Sequence, residues 1–215
     1  MAAGAGRISA AMSYEAKLKR GGYKYIAGVD EAGRGPIAGP VVAAAVILPF
    51  NNKITGIKDS KKLSDDMRRC LYSEIIQTAF AYAIGIVDED LIDHYNILRA
   101  TKNAMQQAVF RLKMSPEYIL VDGNFLIPKL KVEQKAIVRG DDKEQCISAA
   151  SIIAKVTRDD IMLEYDKKYP EYGFGKHKGY GTKYHFKMLE KYGPSPIHRK
   201  SFRPVSQLKL FNVKA

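Results

Sequence analysis

Three acidic residues stand where apolar segments stop. Asp30 and Glu31 close the run in "YIAGVDEAGRGP" at 25–36, and Asp122 closes "YILVDG" at 118–123. A further pair, Asp141 and Asp142, precedes a long helical segment. Carboxylates within a few ångströms of one another repel, and a raised pKa or a bound cation relieves the repulsion. Hard oxygen ligands select Mg2+ or Mn2+. Each acid also has a plainer reading. Asp122 before Gly123 suits a turn, and Asp141 or Asp142 suits a helix N-cap. Successive strand residues face opposite sides, so Asp30 and Glu31 do not share a face by regular geometry. Glu31 then reaches a shared ion only from a bend, or through its backbone carbonyl.

The groups beside these acids suit phosphate. Arg34 lies between Gly33 and Gly35, in backbone free to approach a ligand closely with its N–H groups available. The alternative is a tight turn with a surface arginine. "KDSKKL" at 58–63 offers the Ser60 hydroxyl and the Lys61 amine, or else is a solvated loop. A net charge of +12 over 215 residues points to a polyanionic partner. The last third concentrates it: Lys155, Arg158, Lys176, Lys178, Arg199 and Arg203 are interleaved with Tyr172, Phe174, Tyr180, Tyr184 and Phe186. That mixture suits phosphate contact with stacking on sugars or bases. His177, His185 and His198 lack metal-ligand spacing and read as surface or phosphate-contacting residues.

These residues need elements to place them. Segments 24–30 and 40–48 read as strands joined by a Gly-rich connection, the second apolar throughout as a central strand is. Ser64 suits an N-cap for a helix ending near Thr78. "AYAIGIVDE" alternates as a strand, and 89–113 carries apolar residues at helical spacing up to the stop at Pro116. Strands follow at 118–123 and 133–138. A long helix with small residues along one side, for close packing on a sheet, runs from Lys143 to about Lys168. A Gly-punctuated loop, a helix over 182–192 and a short helix from Val205 complete the chain. Strands alternating with helices predict an α/β domain with a mixed central sheet flanked by helices and a helical C-terminal part. The expected division is a flexible leader over 1–22, a catalytic domain over 23–170, and a basic region over 171–215 packed on that domain. Cys70 and Cys146, without CxxC or histidine spacing, read as structural thiols of a reducing cytoplasm. No apolar run approaches the ~20 residues of a membrane span.

"GVDEAGRGPIAGPVVAAAVIL", "DSKKLS", "VDGN", "GDDKEQCISAASIIAKVTRD", "GFGKHKGYGTKYH" and "GPSPIHRKSFRPV" together resemble bacterial ribonuclease HII, in family order, from about 23 to 206. The resemblance implies a ribonuclease H-like fold and a monomeric cytoplasmic endonuclease. Its substrates would be the RNA strand of RNA–DNA hybrids and ribonucleotides embedded in duplex DNA. Cleavage falls on the 5′ side of the ribonucleotide, leaves a 3′-hydroxyl and a 5′-phosphate, and uses two Mg2+ or Mn2+ ions. The family's four carboxylates fall on Asp30, Glu31, Asp122 and Asp141, with Asp142 second choice for the last. Its backbone-contacting loop falls on Gly33, Arg34 and Gly35, and its substrate-sensing tyrosine on Tyr180. Ser60 and Lys61 join the substrate-binding set. The short stretch before the first motif leads us to expect HII rather than the sister ribonuclease HIII, which carries an N-terminal domain. The sequence leaves a sliding-clamp partner open without supporting one. Two competing readings stand at this level: a nucleic-acid binding module with structural acids, and a DNA junction nuclease on the same fold.

Overall fold

The computed structural model describes residues 12–51, 54–57 and 63–207. Ser60 and Lys61 lie outside the described residues, as do 1–11 and 208–215. Five strands form one mixed sheet: β1 (Ile26–Ala32), β2 (Val41–Ile47), β3 (Ala81–Val87), β4 (Tyr118–Asp122) and β5 (Glu133–Ile137). Their spatial order is β3-β2-β1-β4-β5. β1 lies antiparallel to β2 and parallel to β4, and β5 runs parallel to β4. The wholly apolar β2 is buried along its length, as a strand covered on both faces must be.

Helices α2 (Asp65–Thr78), α3 (Glu89–Tyr95), α4 (Ile97–Phe110) and α5 (Gln145–Lys168) flank the sheet. Alternation along the strands decides what each helix covers. Ala27 and Val29 of β1 and Ile119 and Val121 of β4 pack with Ala104, Met105 and Ala108 of α4. On the other face Ala44 and Val46 meet Ala149, Ile153 and Ala154 of α5, with Leu71 and Ile75 of α2 alongside. The small residues of α5 let it sit close: a Cβ on Gly28 would collide with the Cys146–Ile147 backbone of that helix. Gly85 plays the same part for α4, meeting the Ala104 carbonyl.

Local signals set most boundaries. The Ser64 hydroxyl accepts the Met67 N–H at 3.3 Å and starts α2. The single helix expected over 89–113 is two, because Asn96 adopts φ 72° and its side chain caps the second helix at Leu98 and Arg99. Asn tolerates that left-handed backbone and supplies the capping oxygen at once. Neither Asp141 nor Asp142 caps α5; they lie in a 3-10 turn at Gly140–Asp142, and Glu144 holds the N-cap position.

The leader expected to be flexible through residue 22 instead contains a helix, α1 (Tyr14–Arg20). Its docking is reciprocal. Glu144 accepts the Tyr14 and Glu15 N–H groups at 2.9 and 2.8 Å, while Glu15 accepts the Cys146 N–H at 3.0 Å. Each helix supplies the carboxylate that satisfies the orphan donors of the other, a pairing invisible at a separation of 129 residues or more.

Past α5 the expected loop holds a 3-10 turn at Pro170–Tyr172 and the single-turn α6 (Phe174–His177), then α7 (Lys183–Tyr192). The Thr182 hydroxyl starts α7 by accepting the His185 N–H. Tyr172 and Phe174 pack on Met162 of α5 and on Ala38. Residues 205–207 are helical. Both cysteines are free. Among the described residues no helix is long and apolar enough to cross a membrane.

Gly28→Ala is expected to cost about 1–3 kcal/mol, the usual penalty of overpacking a closed core. Thermal denaturation checks this, and an unchanged melting temperature would show that α5 is not seated on β1 at that point.

Candidate active site

The acids converge through strand register. β1 and β4 are parallel with Val29 beside Val121, so Asp30 and Asp122 stand one step further along, level and on one face. That face is the one α5 covers, and Asp30 is 5% exposed. From α5, Ser151 hydrogen-bonds the Asp30 carboxyl. The Asp30 Oδ1 also accepts the N–H of Glu31 at 2.7 Å.

Glu31 does not sit at a bend. β1 remains paired with β2 through Ala32, and Glu31 lies opposite Ala43. Its side chain nevertheless interacts with the other acids; β4 has ended at Asp122, so on that side no strand flanks Glu31. The result is three carboxyl groups in one electrostatic unit. Burial first, then Glu31, then Asp122 raise the Asp30 pKa well above the usual carboxylate range, against the opposing bonds from Ser151 and the Glu31 backbone. Burial likewise raises Glu31, with Arg34 opposing and Asp122 adding to it. Each acid has a donor from the chain: Arg34 Nη1 reaches Glu31 at 3.1 Å, and the Gly140 N–H reaches Asp122 at 2.6 Å. Among the described residues no three His, Cys, Asp or Glu side chains are arranged to hold a metal ion.

Asp141 follows Gly140, so the turn that grips Asp122 also carries the fourth acid. It is 1% exposed, whereas Asp142 is exposed. The Ser148 hydroxyl of α5 donates to the Asp141 carbonyl and fixes that turn.

Glu31 opens onto a cavity of about 390 Å3 lined by Gly33, Arg34, Gly35, Ser151, Lys155 and Tyr180, with Arg68 and Arg158 completing it. Cations thus surround Glu31, the acid of that lining. Gly33 has φ 97°, and a Cβ there would strike the Arg158 guanidinium, so glycine is needed twice over. Tyr180 is 47% exposed, with its ring 3.6 Å from where a Gly35 Cβ would stand.

The ribonuclease HII family model matches residues 27–205. The chain belongs to the ribonuclease HII family. A ribonuclease HII of Clostridioides difficile is 56% identical over 181 residues, covering 84% of this chain and 71% of that protein. The crystal structure of ribonuclease H2 from Pyrococcus horikoshii OT3 superposes with a TM-score of 0.77 at 30% identity, covering 89% of this chain and 100% of that one. Bst ribonuclease HIII in complex with Mn2+ shares the fold, with a TM-score of 0.66 at 15% identity over 90% of this chain and 71% of that chain. Membership makes the protein an enzyme, a ribonuclease H: a metal-dependent hydrolase acting on RNA–DNA hybrids.

Several residues important to this site escaped the sequence reading. Arg158 and Arg199 are not surface cations; both are buried, and their guanidinium groups donate to backbone carbonyls of residues 33–40. His185 and His198 are fully buried rather than phosphate-facing, and Tyr172 and Phe174 belong to the core. Ser151 carried one legible signal: it follows Ser148 by three residues in "SAAS", on the small-residue side of α5.

Asp30→Asn removes a carboxylate that the folded chain holds at a cost. Because the folded-state pKa lies above the unfolded value, ionisation of Asp30 destabilises the fold as pH rises above the ordinary carboxylate range. At acid pH, with Asp30 protonated in both states, the cost is absent. In EDTA the variant is expected to melt higher than wild type at neutral pH, by roughly 2–4 °C per kcal/mol for a chain this size. That advantage shrinks toward acid pH. An Asn variant that melts lower at neutral pH would overturn the reading of Asp30 as a strained carboxylate.

Proposed function

We propose that this enzyme hydrolyses the RNA strand of hybrids and also cuts duplex DNA on the 5′ side of embedded ribonucleotides, leaving a 3′-hydroxyl and a 5′-phosphate. The observation that carries this reading is the adjacency of two unlike features. Glu31, beside the level pair of Asp30 and Asp122, lines the cavity shared by the Gly33–Gly35 loop and Tyr180.

Asp30, Glu31, Asp122 and Asp141 would hold two divalent cations, Mg2+ or Mn2+. The chemistry of the donors fits, with side chains that must draw closer than they stand here to share an ion: the oxygens are hard, and of the burial and like charge that raise Asp30, a cation relieves the like charge. When bound, such ions lower the pKa of an attacking water and neutralise charge on the leaving 3′ oxygen. The residues of the chain do the rest. Arg34, Arg68 and Lys155 bring the phosphate backbone to the cavity. The Ser151 hydroxyl, through its bond to Asp30, keeps that carboxyl turned toward the opening.

Recognition of ribose falls to the loop. Gly33 and Gly35 carry no side chains, so backbone groups approach the 2′-hydroxyl, which both donates and accepts. The Tyr180 ring stacks on the sugar of the next nucleotide, where a second 2′-hydroxyl would crowd it, and so senses an RNA-to-DNA junction. The catalytic unit spans 23–170 and the region from 171 contributes Tyr180 to it. A cytoplasmic, monomeric enzyme fits these features.

Asp122→Asn is expected to lower cleavage of a duplex containing one ribonucleotide by at least ~100-fold, the scale of removing a group that organises charge at a reacting centre. Duplex binding, measured by fluorescence anisotropy, should persist. Cleavage at the wild-type rate would leave only a binding module with structural acids. All-DNA duplexes and junctions should remain uncut with Mg2+ or Mn2+, and efficient cutting of either would favour the junction nuclease.

A further inference from the structure

Behind Tyr180 lies a group of three imidazoles with no part in the chemistry described above. His185 of α7 and His198 are fully buried, and His177 stacks on His185 with centroids 4.3 Å apart. We propose that His185 and His198 are positioning residues for Tyr180: a buried relay of neutral imidazoles that fixes its backbone and so sets discrimination of the junction. The proposal rests on the reading of Tyr180 as the junction sensor.

The proton placement along the relay is dictated from its ends. The Ser195 N–H donates to His198 Nδ1 at 2.9 Å, so that nitrogen carries no proton. A neutral His198 is then protonated at Nε2, which stands 3.0 Å from His185 Nε2. His185 Nε2 must accept, which leaves its proton on Nδ1, 2.9 Å from the carbonyl oxygen of Tyr180. A backbone donor thus fixes one end of the relay and a backbone acceptor the other. An extra proton on either ring would set two N–H groups against each other. Burial keeps both rings neutral, with His185 pushed down to about 4 and His198 to about 3.

The relay serves two particular segments. His177 Nδ1 accepts the Gly179 N–H at 3.3 Å, and its carbonyl accepts the Tyr180 N–H at 2.9 Å. With His185 on the carbonyl, the main chain of Tyr180 is therefore gripped on both sides while its ring stays exposed. At the far end, His198 precedes Arg199, whose guanidinium donates to the carbonyls of Gly33, Arg34, Pro36 and Gly39. Hydrogen bonds from the Tyr180 carbonyl to His198, the peptide bond to Arg199 and the bonds of its guanidinium therefore relate the Tyr180 main chain to the Gly33–Gly39 loop. Apolar residues of similar volume would fill this space, leave the Tyr180 carbonyl with the Thr182 N–H as its one donor, and leave the Ser195 N–H unsatisfied.

Paired amide variants separate positioning from bulk stability, since both bury the same group. In His185→Asn the amide N–H occupies the place of Nδ1–H and still reaches the Tyr180 carbonyl; in His185→Gln it occupies the place of Nε2 and does not. Steady-state kinetics are measured on a duplex with one embedded ribonucleotide and on a uniform RNA–DNA hybrid, with Tyr180→Ala in parallel. H185N is expected to keep the wild-type ratio of the two rates. H185Q is expected to lower kcat on the junction substrate ~5-fold, the size of one lost neutral hydrogen bond, with KM little changed and the ratio moved toward that of Y180A. If H185Q does not fold, His198→Asn replaces it, keeping the acceptor for Ser195 and withdrawing the donor to His185, with the same loss expected. Equal ratios for H185N and H185Q, or a wild-type ratio in H198N, would overturn the relay while Y180A still shows its defect. An unaltered ratio in Y180A would instead remove the Tyr180 reading and the relay with it.

Discussion

Two buried guanidinium groups hold the functional loop in shape, and most of the site depends on them. Arg199 donates to the carbonyls of Gly33, Arg34, Pro36 and Gly39, and Arg158 to those of Ala38, Pro40 and Lys178. Burying a charge without compensation costs several kcal/mol. Here the compensation is a ring of backbone oxygens instead of an ion pair. Burial, followed by the neighbouring Arg158, pulls the Arg199 pKa down to about 9, so it remains protonated at neutral pH. The reciprocal effect is that loop carbonyls turn inward, and the 33–40 segment has one conformation despite three glycines.

That constraint joins two parts of the chain that local sequence keeps separate. The acids belong to the sheet and to the turn before α5. Tyr180 belongs to the segment after α5, some 150 residues from Asp30 along the chain. Arg158 lies on α5 between them and bonds to both the loop and Lys178, two residues before Tyr180. The Ile37 N–H donates to the Gly179 carbonyl at 3.0 Å, and Gly179 has no room for a side chain against the Ala38 carbonyl. The acids and the Gly33–Gly35 loop with Tyr180 are therefore held at a set separation by the same few contacts.

The electrostatics divide by depth. Asp30 lies buried behind the cavity, where burial and like charge raise its pKa, while Arg34, Arg68 and Lys155 line the cavity itself. Glu31 occupies the boundary and is bonded to Arg34. Cations around such a cavity suit a substrate that is itself a polyanion.

Sequence alone determined the strands, the long helices α2 and α5, and which acids stand where apolar segments stop. Strand period, helix period and capping residues are local, so β1 to β5, the Ser64 cap and the strand-terminal positions of Asp30 and Asp122 could be read without coordinates. Motifs then pointed to the family, the Gly33–Gly35 loop and Tyr180. What only tertiary structure decided was which side of each residue meets protein and which meets solvent. The parallel register of β1 and β4 put Asp30 and Asp122 level, and the early end of β4 let Glu31 join them without a bend. Packing turned Arg158, Arg199, His185 and His198 from an apparent basic surface into buried scaffolding, and reciprocal capping with Glu144 gave the leader a helix. The physical reason is the same throughout: a side chain's type limits what it can bond to, but its burial is set by what distant segments place against it.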